Sequence, residues 1–366
     1  MEQIKHYLKW DDTVVGIIDE SYSVKFSQPN YNEVVSLYTN NVINWSPEKF
    51  TEFISERIVN RDRRDIERIL FRCGLSYYDP IKIAKITRAI HPKDLLWIAN
   101  HENEKFNDVV TDVFESVFYQ KFDLTGESID TPEGYNIKRY GVYNGKYGIY
   151  KQRISPLMTD IESEVAVYLL AKKLGIPCCP AYLVDEKIMF SEFLYDFREE
   201  YIVHFRRLFA DGRTDNEYQN FLNARPQYKE QIIQMIVLDF ITRQDDRHLS
   251  NVAVKITGQC ETFYPLYDNG RSLFYEDTES LVADAVQDPA TYSTTFGYAG
   301  TYWDFIQEII ADGTDISELI NLDISEKEIA DILTEAGFVG YRFNGSLKWI
   351  TKTIDMIKNL SYSLHE

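Results

Sequence analysis

The stretch from Tyr228 to Gly270 constrains the fold of this chain more tightly than any other. Tyr228-Lys-Glu-Gln-Ile-Ile-Gln-Met-Ile-Val-Leu-Asp-Phe-Ile-Thr-Arg243 carries apolar residues on most faces, which predicts a helix enclosed by a large core. A polar run follows, Asp245-Asp-Arg-His-Leu-Ser-Asn251. Two strand-like runs come next, Asn251-Val-Ala-Val-Lys255 and Thr262-Phe-Tyr-Pro-Leu-Tyr267, joined through Thr257-Gly258-Gln259. The return leads into Asp268-Asn269-Gly270. Buried helix, polar loop, strand, turn, strand and Asp is an order that can bring two acidic groups and an Asn back to one place.

Those residue types suit phosphoryl transfer. An Asp can accept or orient the proton of an attacking hydroxyl, while an Asn and a second Asp hold the Mg²⁺ ions that bridge nucleotide phosphates. Asp245 and Asp246 are adjacent, so on extended or loop backbone they point apart. The five-residue step to Asn251 selects Asp246 as the catalytic group, with Asn251 and Asp268 as metal ligands. Asp245 is then expected to face Arg247 or to cap a neighbouring turn. Arg247 and His248 are left as scaffold or phosphate contacts. The competing reading is a solvated cluster of idle charges; the flanking strand pair and the second Asp weigh against it.

The chain has 366 residues, long enough for two or three compact domains, and is 44% hydrophobic and 14% aromatic. Met1–Asp12 has no apolar core of signal-peptide length, and no stretch has the apolar length to span a bilayer. A cytoplasmic protein without a membrane partner is the expectation. Cys73, Cys178, Cys179 and Cys260 show no metal-ligand spacing and read as reduced, mostly buried packing residues. A formal charge of −19 argues against direct nucleic-acid binding.

Residues 1–121 read as a mostly helical N-terminal domain. Thr13–Ile18 and Ser23–Phe26 suggest a short hairpin, and Ser46-Pro47 opens a helix. Further helices are expected over Arg63–Arg72, from Asp79-Pro80 through Ile90, and over His91–Ala99. An amphipathic helix is expected over 104–121, where Phe106, Val109, Val110, Val113, Phe114, Val117 and Phe118 recur at three-four spacing. From residue 122 the texture becomes strand-like, with a turn at Asn144-Gly145. Lys151 ends an aromatic strand, and Thr159 or Asp160 caps a helix over Ile161–Leu174 that stops at Gly175. Glu164 lies early in that helix. A strand Lys followed by a helix Glu is how kinases build the ion pair that orients the α- and β-phosphates; Lys146 competes with Lys151 for that place. Strands over Ala181–Val184 and Ile188–Leu194 lead to a hinge where the backbone at Ser191, Glu192 and Phe193 would meet adenine. Arg271–Gly300 reads as a long loop, and the tail from Tyr302 as three helices, with an N-cap at Ser325 and a stop at Gly337.

Several of these segments together resemble the HipA-like kinases: Tyr140-Gly-Val-Tyr143, Tyr147-Gly-Ile-Tyr-Lys151, Glu162–Pro177, Phe190-Ser-Glu-Phe193, Asp246-Arg-His-Leu-Ser-Asn251 and Pro265–Leu273. The D-R-H-x-x-N order is shared by that family and by phosphatidylinositol kinases. The resemblance covers about residues 125–310. Gly134-Tyr-Asn-Ile-Lys138 stands where the family has a Gly- and Ser-containing phosphate loop, so Gly134 and Asn136 take the phosphate-loop positions. The N-terminal 120 residues do not look like the family's usual N-terminal domain.

The resemblance implies a bilobal, protein-kinase-like α+β fold: an N-lobe at 122–194 and a helical C-lobe at 195–366, behind the N-terminal domain. It implies ATP and Mg²⁺ as cofactors, Lys151 and Glu164 as the nucleotide-positioning pair, Asp246 as catalytic residue and Asn251 and Asp268 as Mg²⁺ ligands. The expected activity is Ser/Thr kinase activity on a protein, including the chain itself at Ser128, Ser272 or Ser280. An antitoxin-like or regulatory protein is the implied partner. Two alternatives are a non-catalytic nucleotide- or protein-binding kinase-like module and a small-molecule or lipid kinase.

Overall fold

The computed structural model describes residues 6–110, 137–196, 199–208, 217–295 and 300–362. The chain divides into two compact units, one of Met1–Gln152, Phe190–Val203 and Lys255–Thr262, the other of Arg153–Met189, His204–Val254 and Phe263–Glu366. The boundary read at residue 121 lies outside the described residues.

The first unit begins with an antiparallel sheet of order β4-β3-β2-β1-β5, built from β1 (His6–Trp10), β2 (Thr13–Ile18), β3 (Val24–Phe26), β4 (Asn44–Trp45) and β5 (Leu96–Ala99). The expected hairpin is β2–β3, with Gly16 opposite Phe26. Helices α1 (Glu33–Thr39), α2 (Pro47–Ser55), α3 (Ile66–Arg72), α4 (Pro80–Thr87) and α5 (Phe106–Val110) accompany it. The start signals work as expected: Ser46 Oγ accepts from the Lys49 N–H, and Asp79 Oδ1 from the Lys82 N–H.

His91–Ala99 departs from the expected helix, because its last four residues are β5, all buried. A tertiary partner decides this. Arg57 clasps the Asp94 carboxylate through two 2.7 Å bonds and also donates to the Leu96 carbonyl, while Asp94 Oδ1 accepts from the Leu96 N–H. The N-terminal domain is thus helices arranged on a five-stranded sheet, more strand than the hairpin alone implied. Of the amphipathic stripe at 104–121, α5 forms the start and the remainder lies outside the described residues.

β6 (Lys138–Tyr143) and β7 (Lys146–Gln152) form a hairpin around Asn144 and Gly145, at φ 50° and 76°. Two successive left-handed residues make the tight turn whose twist matches paired strands. The sheet order is β6-β7-β9-β8, with β8 at Ala181–Leu183 and β9 at Ile188–Glu192. One face of the hairpin shares a core with the N-terminal domain: Tyr140 is buried with Ile90, Trp97, Ala99 and Phe106, and Val142, Tyr147, Ile149 and Phe193 pack against them. A third sheet has order β10-β11-β12, from Glu200–His204, Ala253–Thr257 and Cys260–Phe263.

The second unit contains α6 (Asp160–Leu174), ended by Gly175 at φ 76°. It continues through α7 (Phe205–Leu208), α8 (Glu217–Ala224) and α9 (Lys229–Thr242). In α9, ten of 14 residues are buried, which is why its sequence shows no polar face. Arg271–Gly300, expected as a loop, contains α10 (Glu279–Ala285) and a 3₁₀ turn at Pro289–Thr291. α10 forms there because Val282 and Val286 pack beside Phe274 and Trp349. The tail carries α11 (Tyr302–Ala311), a single turn α12 (Ile316–Leu319), α13 (Glu326–Glu335) and α14 (Gly340–Tyr362), one element more than expected. Ser325 and Glu328 form a reciprocal capping box, and Gly337 sits at φ 89°. All four cysteines are free; Cys179 is buried, but Cys260 is exposed on β12 and is not a packing residue. Among the described residues no helix is long and apolar enough to cross a membrane.

Candidate active site

In the second unit, α9 ends at Arg243, whose left-handed backbone (φ 51°) turns the chain sharply. The Arg243 guanidinium lies 4.6 Å from the Phe274 ring centre and 4.9 Å from that of Tyr292, and pairs with Asp277 at 2.7 Å. Gln244 follows, fully buried. Its Oε1 accepts the Asp246 N–H at 2.9 Å, and its Nε2 reaches the Asp268 carbonyl at 3.5 Å. One amide therefore links the loop carrying the proposed catalytic Asp to the segment carrying the proposed metal-binding Asp.

Asn251 closes the loop, its Nδ2 donating to the Asp246 carbonyl at 2.9 Å. An amide that donates through its nitrogen keeps its oxygen as an acceptor. The Asp246 carboxylate is partly open, with Oδ1 3.5 Å from Arg271 Nη1 and 4.0 Å from His248 Nε2. Asp245 does not face Arg247, contrary to expectation: its N–H donates to the Arg271 carbonyl, and its carboxylate lies 3.2 Å from Arg271 Nε. Burial pushes the Asp245 carboxyl up to about 6, against the pull of Arg271.

Arg247 is scaffold. Its side chain is fully buried, pairs with Asp239 at 2.9 Å, and donates to Asn269 Oδ1 at 2.7 Å and to the carbonyls of Asn251 and Tyr267 at 3.1 Å. Burial raises the Asp239 carboxyl while the guanidinium pulls it back, and the pair holds Arg247 well above its ordinary value. His248 is half exposed, and its Nδ1 accepts from the Ser250 N–H.

Asp268 has φ 57°, an uncommon conformation that persists only where the surroundings impose it. They do so on both sides. Arg247 holds the preceding carbonyl, and Glu164 Oε2 of α6 accepts the Asn269 N–H at 2.9 Å. Gly270 lies against α6, where a Cβ would come within 3.1 Å of the Asp160 carbonyl. Glu164 lies early in α6, where the sequence placed it; it is also buried there and holds the segment that follows Asp268. Of the three proposed self-phosphorylation sites, Ser280 is exposed, Ser272 is buried and closed to a substrate cleft, and Ser128 lies outside the described residues.

In the first unit, Lys151 is buried near the end of β7, and its register partner on β6 is Lys138, also buried. Ile137 accepts the Gln152 N–H, so the next pair, Lys138 and Lys151, is non-hydrogen-bonded and has its side chains at closest approach. Sequence reading missed Lys138, though the strand register around Asn144-Gly145 could have revealed it. Lys146, the alternative to Lys151, is exposed and ion-paired to Glu192 at 3.2 Å. Ser191 and Glu192 are buried on β9, and the Phe193 N–H donates to the Tyr147 carbonyl at 2.8 Å, so that donor is already engaged. Gly134 and Asn136 lie outside the described residues.

No family model matches the sequence, and no curated protein matches it significantly. Solved structures do match. The Helicobacter pylori proinflammatory kinase CtkA aligns with a TM-score of 0.52 at 16% identity, over 64% of this chain and 94% of that one. HipA of the Shewanella oneidensis MR-1 toxin–antitoxin system, solved with HipB and operator DNA, aligns with a TM-score of 0.56 at 13% identity, over 97% of this chain and 99% of that one. The fold is that of the HipA-like kinases. The HipA alignment extends across the N-terminal domain as well, which the sequence comparison had set apart from the family.

Proposed function

We propose that this chain is an ATP- and Mg²⁺-dependent phosphotransferase, a Ser/Thr protein kinase of the HipA-like kind that can take itself as substrate. The observation that carries the reading is the locked pair of segments in the second unit. Asn251 is tied to the Asp246 backbone, and Asp268 is held left-handed between groups fixed by Arg247 and Glu164. Rigid placement of this kind is most of what phosphoryl transfer asks of a protein.

The residues fit the cofactors. The Asn251 amide oxygen and the Asp268 carboxylate are hard oxygen donors, the kind Mg²⁺ prefers. Among the described residues no cluster of three His, Cys, Asp or Glu side chains forms a cage. Mg²⁺ is commonly held by one or two protein oxygens and completed by nucleotide phosphates. Bound Mg²⁺ would neutralise charge on the phosphates. Asp246 would orient the acceptor hydroxyl and receive its proton, and Lys138 and Lys151 would bind phosphate oxygens. The backbone following β9 would meet the adenine. The HipA likeness supports a protein partner of antitoxin type.

The test is intact-mass analysis after incubation with ATP and Mg²⁺, with Asp246→Asn in parallel. Phosphate on wild type and none on the variant supports the reading. Phosphate on neither, together with no transfer to a panel of protein and small-molecule acceptors, sinks it.

A further inference from the structure

Three side chains set the direction of Asp246. The peptide before it presents its N–H to Gln244 Oε1 at 2.9 Å. The peptide after it is pinned on both edges. Its carbonyl accepts from Asn251 Nδ2 at 2.9 Å, and its N–H, that of Arg247, donates to Thr295 Oγ1 at 3.0 Å. A peptide unit is planar, so fixing the planes on both sides of one Cα fixes φ and ψ there, and with them the direction of Cβ. Gln244 and Asn251 belong to the loop itself and move with it. Thr295 comes from another segment, 48 residues beyond Arg247. In that segment Ser293 and Thr301 form an antiparallel bridge, and the Tyr302 N–H donates to the Tyr292 carbonyl at 3.0 Å. The rings of Tyr292 and Tyr302 stack 5.6 Å apart, and their hydroxyls reach the carbonyls of Arg243 at 3.4 Å and Gln244 at 3.3 Å. Three hydroxyls of one segment therefore meet three backbone groups of the loop. Tyr302 is buried, whereas Thr295 is exposed and can be changed without opening the core.

We propose that Thr295 is a positioning residue for Asp246, its hydroxyl fixing the peptide that aims the carboxylate at an acceptor hydroxyl. This rests on the phosphotransferase reading and deepens it with a residue outside the loop motif. Removing the Thr295 oxygen frees one edge of that peptide, while Gln244 and Asn251 keep their own bonds. The buried Arg247 side chain still ties the loop to Asp239 of α9, so the loop loosens without unfolding. The aim of Asp246 governs the rate of transfer and not the affinity for nucleotide.

The experiment compares full-length wild type, Thr295→Val and Thr295→Ser in three measurements. These are MgATP affinity by calorimetry, phosphoryl transfer from MgATP to the chain itself and to a panel of protein and small-molecule acceptors, and amide hydrogen exchange in the peptide covering residues 244–251. Valine keeps the shape of threonine and removes the acceptor, so transfer should slow about tenfold, the usual worth of one hydrogen bond. The MgATP dissociation constant should stay within about twofold, and exchange at the Arg247 amide should quicken about tenfold. Thr295→Ser keeps the hydroxyl and should bring rate and exchange back to within about twofold of wild type. Thr295→Ala serves if the valine variant does not fold, with the same split expected. Unchanged rate and exchange in Thr295→Val, equal losses of rate and affinity, or a serine variant as impaired as the valine one would each overturn the positioning role. A wild type that transfers phosphate to none of these acceptors overturns the phosphotransferase reading beneath it, and the exchange rates then decide separately whether Thr295 holds the loop.

Discussion

Arg247 directs its donors inward, to Asp239, Asn269 and two backbone carbonyls. Replacing it with Met strands the Asp239 carboxylate in the core, and urea denaturation should show about 3–5 kcal/mol of lost stability. A loss below 1 kcal/mol would mean the pair is not the clamp described. Asp160, buried at the start of α6, has its carboxyl pushed up to about 6 by burial. Its folded value therefore exceeds its unfolded value, so its contribution to stability is full below about pH 4 and is lost as pH rises through 6. Asp160→Asn, which does not titrate, should gain on wild type across that window, by about 2–3 kcal/mol at pH 7. A gap between the two midpoints that does not change with pH would refute it. At this scale Asp246, Asn251 and Asp268 could be singled out as candidates because chemistry limits which residue types can do the work. The Arg247–Asp239 pairing was not, since adjacency in the chain does not say which way a loop side chain turns. Gln244 and Lys138 were missed for the same reason: their importance lies in what stands opposite them.

Secondary-structure elements were readable where a local rule sufficed, at Ser46-Pro47, Asp79-Pro80, Asn144-Gly145, Gly175 and the Ser325 capping box. β5 was misread because Leu96–Ala99 is apolar on every side, and a short apolar run carries no period to separate strand from helix. α10 was missed because it depends on Phe274 and Trp349, the latter more than sixty residues further along. Gly148 sets how closely the hairpin approaches β9. A Cβ there would lie 2.1 Å from the Ser191 carbonyl and 2.4 Å from the Phe190 ring. Gly148→Ala should therefore lower the thermal midpoint by forcing the strands apart, at a cost of about 1–3 kcal/mol. An unchanged midpoint would show that the strands part freely.

For the molecule as a whole, ligand binding should appear as stability. MgATP at about a hundred times its dissociation constant should stabilise the native state by about 2.7 kcal/mol, and Asp268→Asn should reduce the Mg²⁺-dependent part of the shift. No shift in either protein would favour a non-catalytic kinase-like module. Deleting residues 1–110 should leave the remainder insoluble, since Tyr140, Val142, Tyr147, Ile149 and Phe193 would lose Trp97 and Phe106 as cover. A soluble truncated protein that still binds MgATP would make the N-terminal domain a dispensable appendage. The residue order from Tyr228 to Gly270 was enough to infer a kinase-like fold and to nominate an acidic site within it, because helix period, turn residues and metal-ligand chemistry are local properties of a chain. The pairing of Lys138 with Lys151, the clamp of Arg247 and the seating of the hairpin on the N-terminal domain came only from the folded chain. Each joins residues that local rules cannot relate, through strand register, a buried ion pair and a shared apolar core.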